Sequence, residues 1–450
     1  MLLPLPLVPF ESLMLVDDRP AYPMNCFARI RFQGRLDRAA LESAMAVAVS
    51  RHPLLAAVVR RSGTQEFWVA ADQPPALQWR DTPLVESFPP LAPLDVRVEP
   101  GLRVVSCEDG ENTDLIIQAH HACCDGLGVL RFTEDLLVSC ALAGEGASKS
   151  VLRTLCPERL LDRGKFDEAA GKLLQTMSRE AVRLLGVSQF RRRAPEPLVP
   201  HEARPDDSSP PADYPASLTR RLDRAESTGL VMTARRLGVA VNDLLIRDCF
   251  LTLKRWRMRT GDQSGWIRVA VPVNLRTPAD RRLPAANKAS LVFLDRLARH
   301  MADPQRLLHS VHEEMAMIKQ MQLGATLILT LENSLSMPGG LEEFARPDHC
   351  TATAFLTNLG AILDRYPVPL KEGRFVVGDA VLRSMEALAP LRPLTCAAIA
   401  VLVYAGQFHI TLHYDSRVLT VTDARELIDD FTGRVRRSAD VPATSDAMIC

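Results

Sequence analysis

The polar and apolar positions of the chain change period several times, and each change marks an element. Cys26, Ala28, Ile30 and Phe32 alternate with Arg29, Arg31 and Gln33, the two-residue period of a half-buried strand. Asp37 then stands where an N-cap belongs, ahead of Leu41, Met45 and Val49 at helical spacing. That helix is expected to stop before Pro53, because the residue preceding a proline is pushed towards extended backbone. A second strand-to-helix unit covers residues 114–138, with Leu115, Ile116 and Ile117 as strand and a helix from about Leu127.

The mixture repeats further along. Helical periodicity returns over residues 230–237, 241–256 and 307–321. Strand-like runs cover 266–273, 351–356, 374–381, 396–404 and 407–414, and Asp423 with Leu427, Ile428 and Phe431 suggests a closing helix. Between the two halves, residues 188–215 carry seven prolines and little apolar periodicity. Proline fixes φ and removes a donor, so this stretch reads as a linker between an N-terminal unit, residues 1–187, and a C-terminal unit, residues 216–450. Strands and helices in both units, without regular βαβ alternation, predict an α+β fold instead of a doubly wound sheet.

Composition narrows the function. The 450 residues are too many for one ordinary core and suit two or three domains. Lysine plus arginine equals aspartate plus glutamate at 54 each, so the basic excess of a phosphate-gripping nucleic-acid binder is missing. The cluster Arg191-Arg192-Arg193 reads as a solvated loop. The ten cysteines show no zinc-ribbon or small-scaffold spacing, which suits a reducing compartment. Residues 1–10 are apolar but hold three prolines and no basic residue, a poor signal peptide. The apolar stretch at residues 396–405 is too short to span a bilayer as a helix. A cytoplasmic protein with no stable membrane span is expected.

The chemistry concentrates in His120-His121-Ala122-Cys123-Cys124-Asp125-Gly126, at a strand-to-helix junction. A histidine at a strand end can project its imidazole from a rigid frame, and it is the side chain that takes and returns a proton near neutrality. Asp125 can brace the turn through a charged partner, and Gly126 can adopt φ values closed to other residues. A histidine pair alone is more often structural; the Asp-Gly at fixed spacing and the junction argue for a positioned base. A metal site from His120, His121, Cys123 and Cys124 is disfavoured, because adjacent ligands point in different directions and no second cluster at C-x-x-C or H-x-x-x-H spacing supports it. No signature supports Cys123 or Cys124 as a nucleophile, and buried small apolar residues is the plainer reading of that pair. No G-x-S-x-G elbow occurs.

The run resembles the H-H-x-x-x-D-G signature of the acyltransferase superfamily that unites condensation domains with chloramphenicol-acetyltransferase-like enzymes. Other stretches resemble it in the same order. They are Leu36-Asp37 through Arg51-His52-Pro53-Leu54-Leu55, Val241-Asn242-Asp243-Leu244-Leu245, Pro272-Val273-Asn274-Leu275-Arg276 with Asn287, and Thr357-Asn358-Leu359-Gly360. No D-F-G-W-G run stands near the C-terminus, which argues against the plant-type alcohol acyltransferases. The resemblance implies two chloramphenicol-acetyltransferase-like α/β sandwich domains in a V-shaped pseudo-dimer, with the site in a tunnel at their interface. It implies that His121 is the general base for acyl transfer from a thioester to a hydroxyl or amine, without an acyl-enzyme. His120, Asp125 and Gly126 would support the site, Arg276 would pair with Asp125, and Asn274 and Asn358 would face the tunnel or interface. No bound cofactor or metal is implied; acyl-CoA or acyl-phosphopantetheine enters as co-substrate, with a small-molecule acceptor and an acyl carrier protein as partners. The stretches around Val241 and Pro272 look closer to stand-alone bacterial alcohol O-acyltransferases and wax-ester synthases. The rival reading is a catalytically silent binding or recruitment module of the same fold.

Overall fold

The computed structural model describes residues 2–82, 84–143, 151–166, 193–202, 208–259, 265–335, 337–364 and 366–440. Its N-terminal part runs β1 (Leu5–Pro6), α1 (Pro9–Val16), β2 (Asn25–Gln33), α2 (Arg38–Arg51), β3 (Ala57–Ser62), β4 (Gln65–Ala70), β5 (Ala76–Asp81), β6 (Leu102–Glu108), β7 (Asn112–His120) and α3 (Gly126–Leu142). The C-terminal part runs β8 (Ser217–Arg221), α4 (Arg224–Arg236), α5 (Val241–Arg259), β9 (Trp266–Asn274), β10 (Ala289–Leu297), α6 (Pro304–Gln320), α7 (Thr326–Leu335) and β11 (Ala354–Ala361). It closes with β12 (Leu370–Lys371), β13 (Arg374–Val377), β14 (Ala380–Leu388), β15 (Ala397–Tyr404), β16 (Gln407–Tyr414) and α8 (Val421–Ala439).

Two lobes result, as an α+β reading predicts. One is built on a seven-stranded sheet of order β12-β13-β14-β2-β7-β6-β5, the other on a six-stranded sheet of order β10-β9-β11-β15-β16-β8. A three-stranded sheet, β1-β4-β3, flanks the first. Helices α2 and α3 pack together against the first lobe, and α4, α5 and α8 pack together on the second. Each lobe has its own apolar core, one including Ile30, Ile117 and Phe132 and the other Phe250, Ile399 and Phe431. Local signals do their expected work. The Asp37 carboxylate accepts the Ala40 N–H at 2.7 Å to cap α2, and the helix ends at Arg51, just short of Pro53.

Four features differ from the sequence reading. The run 374–381 is not one strand: Gly378, at φ 56°, turns the chain between β13 and β14. These strands come from the C-terminal part yet belong to the N-terminal sheet, where β14 pairs antiparallel with β2 from Leu388↔Phe27 to Val381↔Gln33. A clean division into 1–187 and 216–450 therefore does not describe the lobes, because strand pairing ignores chain distance. The boundary at 187/188 and the residues Arg191 and Arg192 lie outside the described residues. The described parts of 188–215 are not a free tether. Leu198 is buried in the second core, and Tyr214 packs edge-on against Phe27 at 5.7 Å. The apolar residues between the prolines are what bury.

The fourth difference concerns β2, which is buried along most of its length. Arg29 is fully buried, bonding to Glu386 through Nε at 3.0 Å and to the Ser87 carbonyl at 2.7 Å. Arg31 holds Asp114 in a two-point pair at 2.9 and 2.8 Å. Paired charges can be buried, so Arg29 and most of Arg31 face protein, and Gln33 at the end of the strand is exposed.

Candidate functional site

The site begins where β7 ends. His120 is fully buried, and its N–H donates to the Gly101 carbonyl at 2.9 Å. Its Nδ1 accepts the Ala122 N–H at 3.2 Å, which fixes the ring as a participant in the turn. His121 follows, half-buried, with its N–H donating to the Met24 carbonyl at 2.7 Å. The Asn287 amide donates to the carbonyls of His121 and Ala122 at 2.8 Å each. The Phe10 ring stands edge-on to the imidazole, 6.2 Å between centroids. Nδ1 of His121 is shut away from solvent, and the residue lines the cavity between the lobes.

Burial lowers the His121 pKa from its usual 6.5, and the neighbouring His120 adds to the shift. Its own carbonyl, the Asp125 charge and Asn287 oppose this without reversing it. The ring is thus neutral at pH 7 and available as a proton acceptor.

Asp125 caps α3, accepting the Gly128 N–H at 2.9 Å. Arg276 grips the same carboxylate with both terminal nitrogens, Nη1 to Oδ2 at 2.8 Å and Nη2 to Oδ1 at 2.9 Å. The Lys288 N–H adds a bond at 2.9 Å. Burial alone would raise the Asp125 carboxyl, but Arg276 and the two backbone donors outweigh it and hold it below the usual carboxylate range. With every oxygen engaged, Asp125 is a structural anchor that ties the helix of one lobe to the segment after β9 in the other. Asn274 supports the arginine, accepting the Arg276 N–H at 3.1 Å.

The structure places the remaining sequence candidates as follows, and it changes the reason given for one of them. Gly126 is not at positive φ; it is the first residue of α3. Its size matters instead, since a Cβ there would stand 2.7 Å from Leu359 Cδ2 of the opposite lobe. Asn274 and Asn358 are both exposed side chains on the cavity wall, and Asn358 accepts the Gly360 N–H at 3.1 Å in the bulged end of β11. Cys123 and Cys124 are fully buried in the first core, and burial pushes both thiols well above their ordinary range. Phe10, Lys288 and the residues of α1 that wall the site carried no sequence signal, because nothing local marks a contact made across more than a hundred residues.

His121, Asp125 and Gly126 line a cavity of about 670 Å³ between the lobes. Its walls are mainly apolar, with Leu13 and Met14 from α1, Val292 and Phe293 from β10, and Met317 and Leu327 from α6 and α7. A mostly apolar space of this size with few convergent polar groups suits a small organic ligand. Among the described residues no group of three or more His, Cys, Asp or Glu is placed to hold a metal, and no helix is long and apolar enough to cross a membrane.

The two-lobed fold is similar to that of condensation domains. The first condensation domain of the calcium-dependent antibiotic synthetase, solved with a substrate analogue, superposes with a TM-score of 0.68 at 16% identity, covering 98% of this chain and 97% of that one. A variant of the starter condensation domain of rhizomide synthetase, solved with C8-CoA, gives 0.67 at 14% identity over 97% and 95%. Polyketide synthase associated protein 5 from Mycobacterium tuberculosis gives 0.60 at 15% identity over 97% and 98%. No family model and no curated protein matches the chain by sequence.

Proposed function

We propose that the chain is an acyltransferase that moves an acyl group from a thioester, acyl-CoA or an acyl chain on a carrier protein, to a hydroxyl or amine acceptor. The observation that carries this reading is a neutral histidine facing a mostly apolar inter-lobe cavity, on a turn locked by a buried Asp125–Arg276 pair. The acceptor hydrogen would bond to His121 Nε2. As the acceptor oxygen or nitrogen attacks the thioester carbonyl, His121 takes its proton, and the tetrahedral intermediate collapses with cleavage of the C–S bond. The protonated His121 then returns the proton to the leaving thiolate. No covalent acyl-enzyme forms, and Cys123 and Cys124 take no part, being buried as thiols.

The apolar walls favour an alkyl acyl chain or alcohol over a sugar or a charged acceptor, and an alcohol acceptor is the preferred form of the reading. Octanoyl-CoA with 1-octanol is the first pair to test, following free thiol and ester together. Wild-type protein should form the ester and His121→Ala should lose at least a hundred-fold of the rate, the usual scale of a general base. Ester formation unchanged in His121→Ala would overturn the assignment. Saturable binding of acyl-CoA without turnover, across a panel of alcohols and amines, would favour a silent binding module.

A further inference from the structure

Asp18, in the loop between α1 and β2, faces His120. Its Oδ2 lies 3.2 Å from His120 Nε2, and its Oδ1 accepts the Met24 N–H at 2.8 Å. The Met24 carbonyl in turn accepts the His121 N–H at 2.7 Å. On the other side of the ring, His120 Nδ1 accepts from Ala122 at 3.2 Å, so the ring proton belongs on Nε2, towards Asp18. The loop itself is held: the adjacent Asp17 is buried and paired with Arg392.

We propose that Asp18 is a positioning residue, fixing the tautomer of His120 and, through the Met24 peptide, the setting of the His121 backbone. This rests on the reading of His121 as the base. The carboxylate serves both neighbours: Oδ1 accepts the Met24 N–H, and Oδ2 stands 3.2 Å from His120 Nε2 as a charge contact without hydrogen-bond alignment. An amide offers one oxygen and one NH2, so Asp18→Asn sets a donor against a donor on one side. His120 cannot escape by moving its proton to Nδ1, where the Ala122 N–H already points. The strain falls on the two peptides that orient the base. Displacements well under 1 Å there are enough to lower the rate without touching the cavity walls that bind substrate.

The test combines kinetics and spectroscopy on the full chain. With octanoyl-CoA and 1-octanol, Asp18→Asn should lower kcat roughly ten- to hundred-fold with KM within about two-fold of wild type, and Asp18→Glu should recover part of the loss. Equal losses in kcat and KM, or none, would overturn the proposal. Independently of turnover, ¹⁵N-histidine spectra of wild-type protein at pH 7 should show His120 as the Nε2–H tautomer, with the His120 and His121 ring signals both moving in Asp18→Asn. An Nδ1–H tautomer in wild type, or unmoved signals in the variant, sinks the idea even if no turnover is found. If His121→Ala abolishes transfer while Asp18→Asn runs at full rate, the positioning role alone fails. If His121→Ala keeps the rate, the base assignment fails and the spectra decide on Asp18.

Discussion

At the scale of single residues, the site is held by charge placed where water cannot reach. Removing Arg276 would leave the Asp125 carboxylate buried with only backbone donors, and losing one partner of a buried pair costs about 3–5 kcal/mol. Arg276→Ala should therefore destabilise the protein by about that amount in urea unfolding, and Arg276→Lys should recover only part, lacking the two-point grip. The base makes a separate prediction. Because burial lowers the His121 pKa, its neutral form persists below pH 6.5, so the acid limb of kcat/KM should lie under that value. A limb at 7 or above would contradict it. The residue scale was also the most legible in the sequence. His120, His121, Asp125 and Arg276 stand in an ordered pattern that a resemblance can carry. The reason for Gly126 was not legible: φ was the natural guess, whereas the approach of Leu359 appears only once the lobes meet. Gly126→Ala should cost about 1–3 kcal/mol by overpacking, and Leu359→Ala in the same chain should relieve much of it.

At the scale of elements, local chemistry predicted starts and stops well. The cap at Asp37, the proline after α2 and the alternation in β2 each mark a feature that the structure keeps, whereas the cap at Asp125 emerged only in the structure. What periodicity could not supply was partnership. Nothing in residues 380–388 says that they pair with 27–33, because register is set by packing between distant segments. Nor does alternation tell whether the polar face of β2 meets water or Glu386 and Asp114. Strand β16 gives a prediction at this scale. His409 and His413 are buried in it, and burial holds their pKa values at about 3 and about 4, against 6.5 in an open chain. Both stay neutral in the folded protein while the unfolded chain takes up protons below 6.5. Their effect on stability is thus absent above that pH and grows as pH falls towards 4. Going from pH 7 to pH 5 should cost about 2 kcal/mol for each histidine, seen as lower urea midpoints, with the cost reduced in His409→Phe. Midpoints unchanged between those pH values would show that β16 solvates its histidines.

At the scale of the whole molecule, the two lobes are not independent beads. The Arg276–Asp125 pair crosses between them, and His52, fully buried between Asp135 and the Ala285 N–H, makes a second crossing at 3.1 and 2.9 Å. Strand β14 makes a third by joining the other lobe's sheet. Calorimetry should therefore show one unfolding transition, with the van't Hoff and calorimetric enthalpies in agreement, and two separated endotherms would contradict the coupling. The α+β class was readable from the mixture of periods, but the interlocking was not, since each crossing joins residues far apart in sequence.

The hairpin of β13 and β14 has a consequence for anyone who would recombine such chains. A chimera joined in the proline-rich stretch takes the donor's hairpin along with its C-terminal lobe, so the first sheet of the hybrid is completed by a stranger's strand. If that strand does not fit, the edge of β2 is left bare, and the backbone from Phe27 to Gln33 is offered to any passing chain. Successful grafts would have to keep residues 370–388 with the N-terminal sheet and exchange only what lies on either side, so that the heritable module is a discontinuous one.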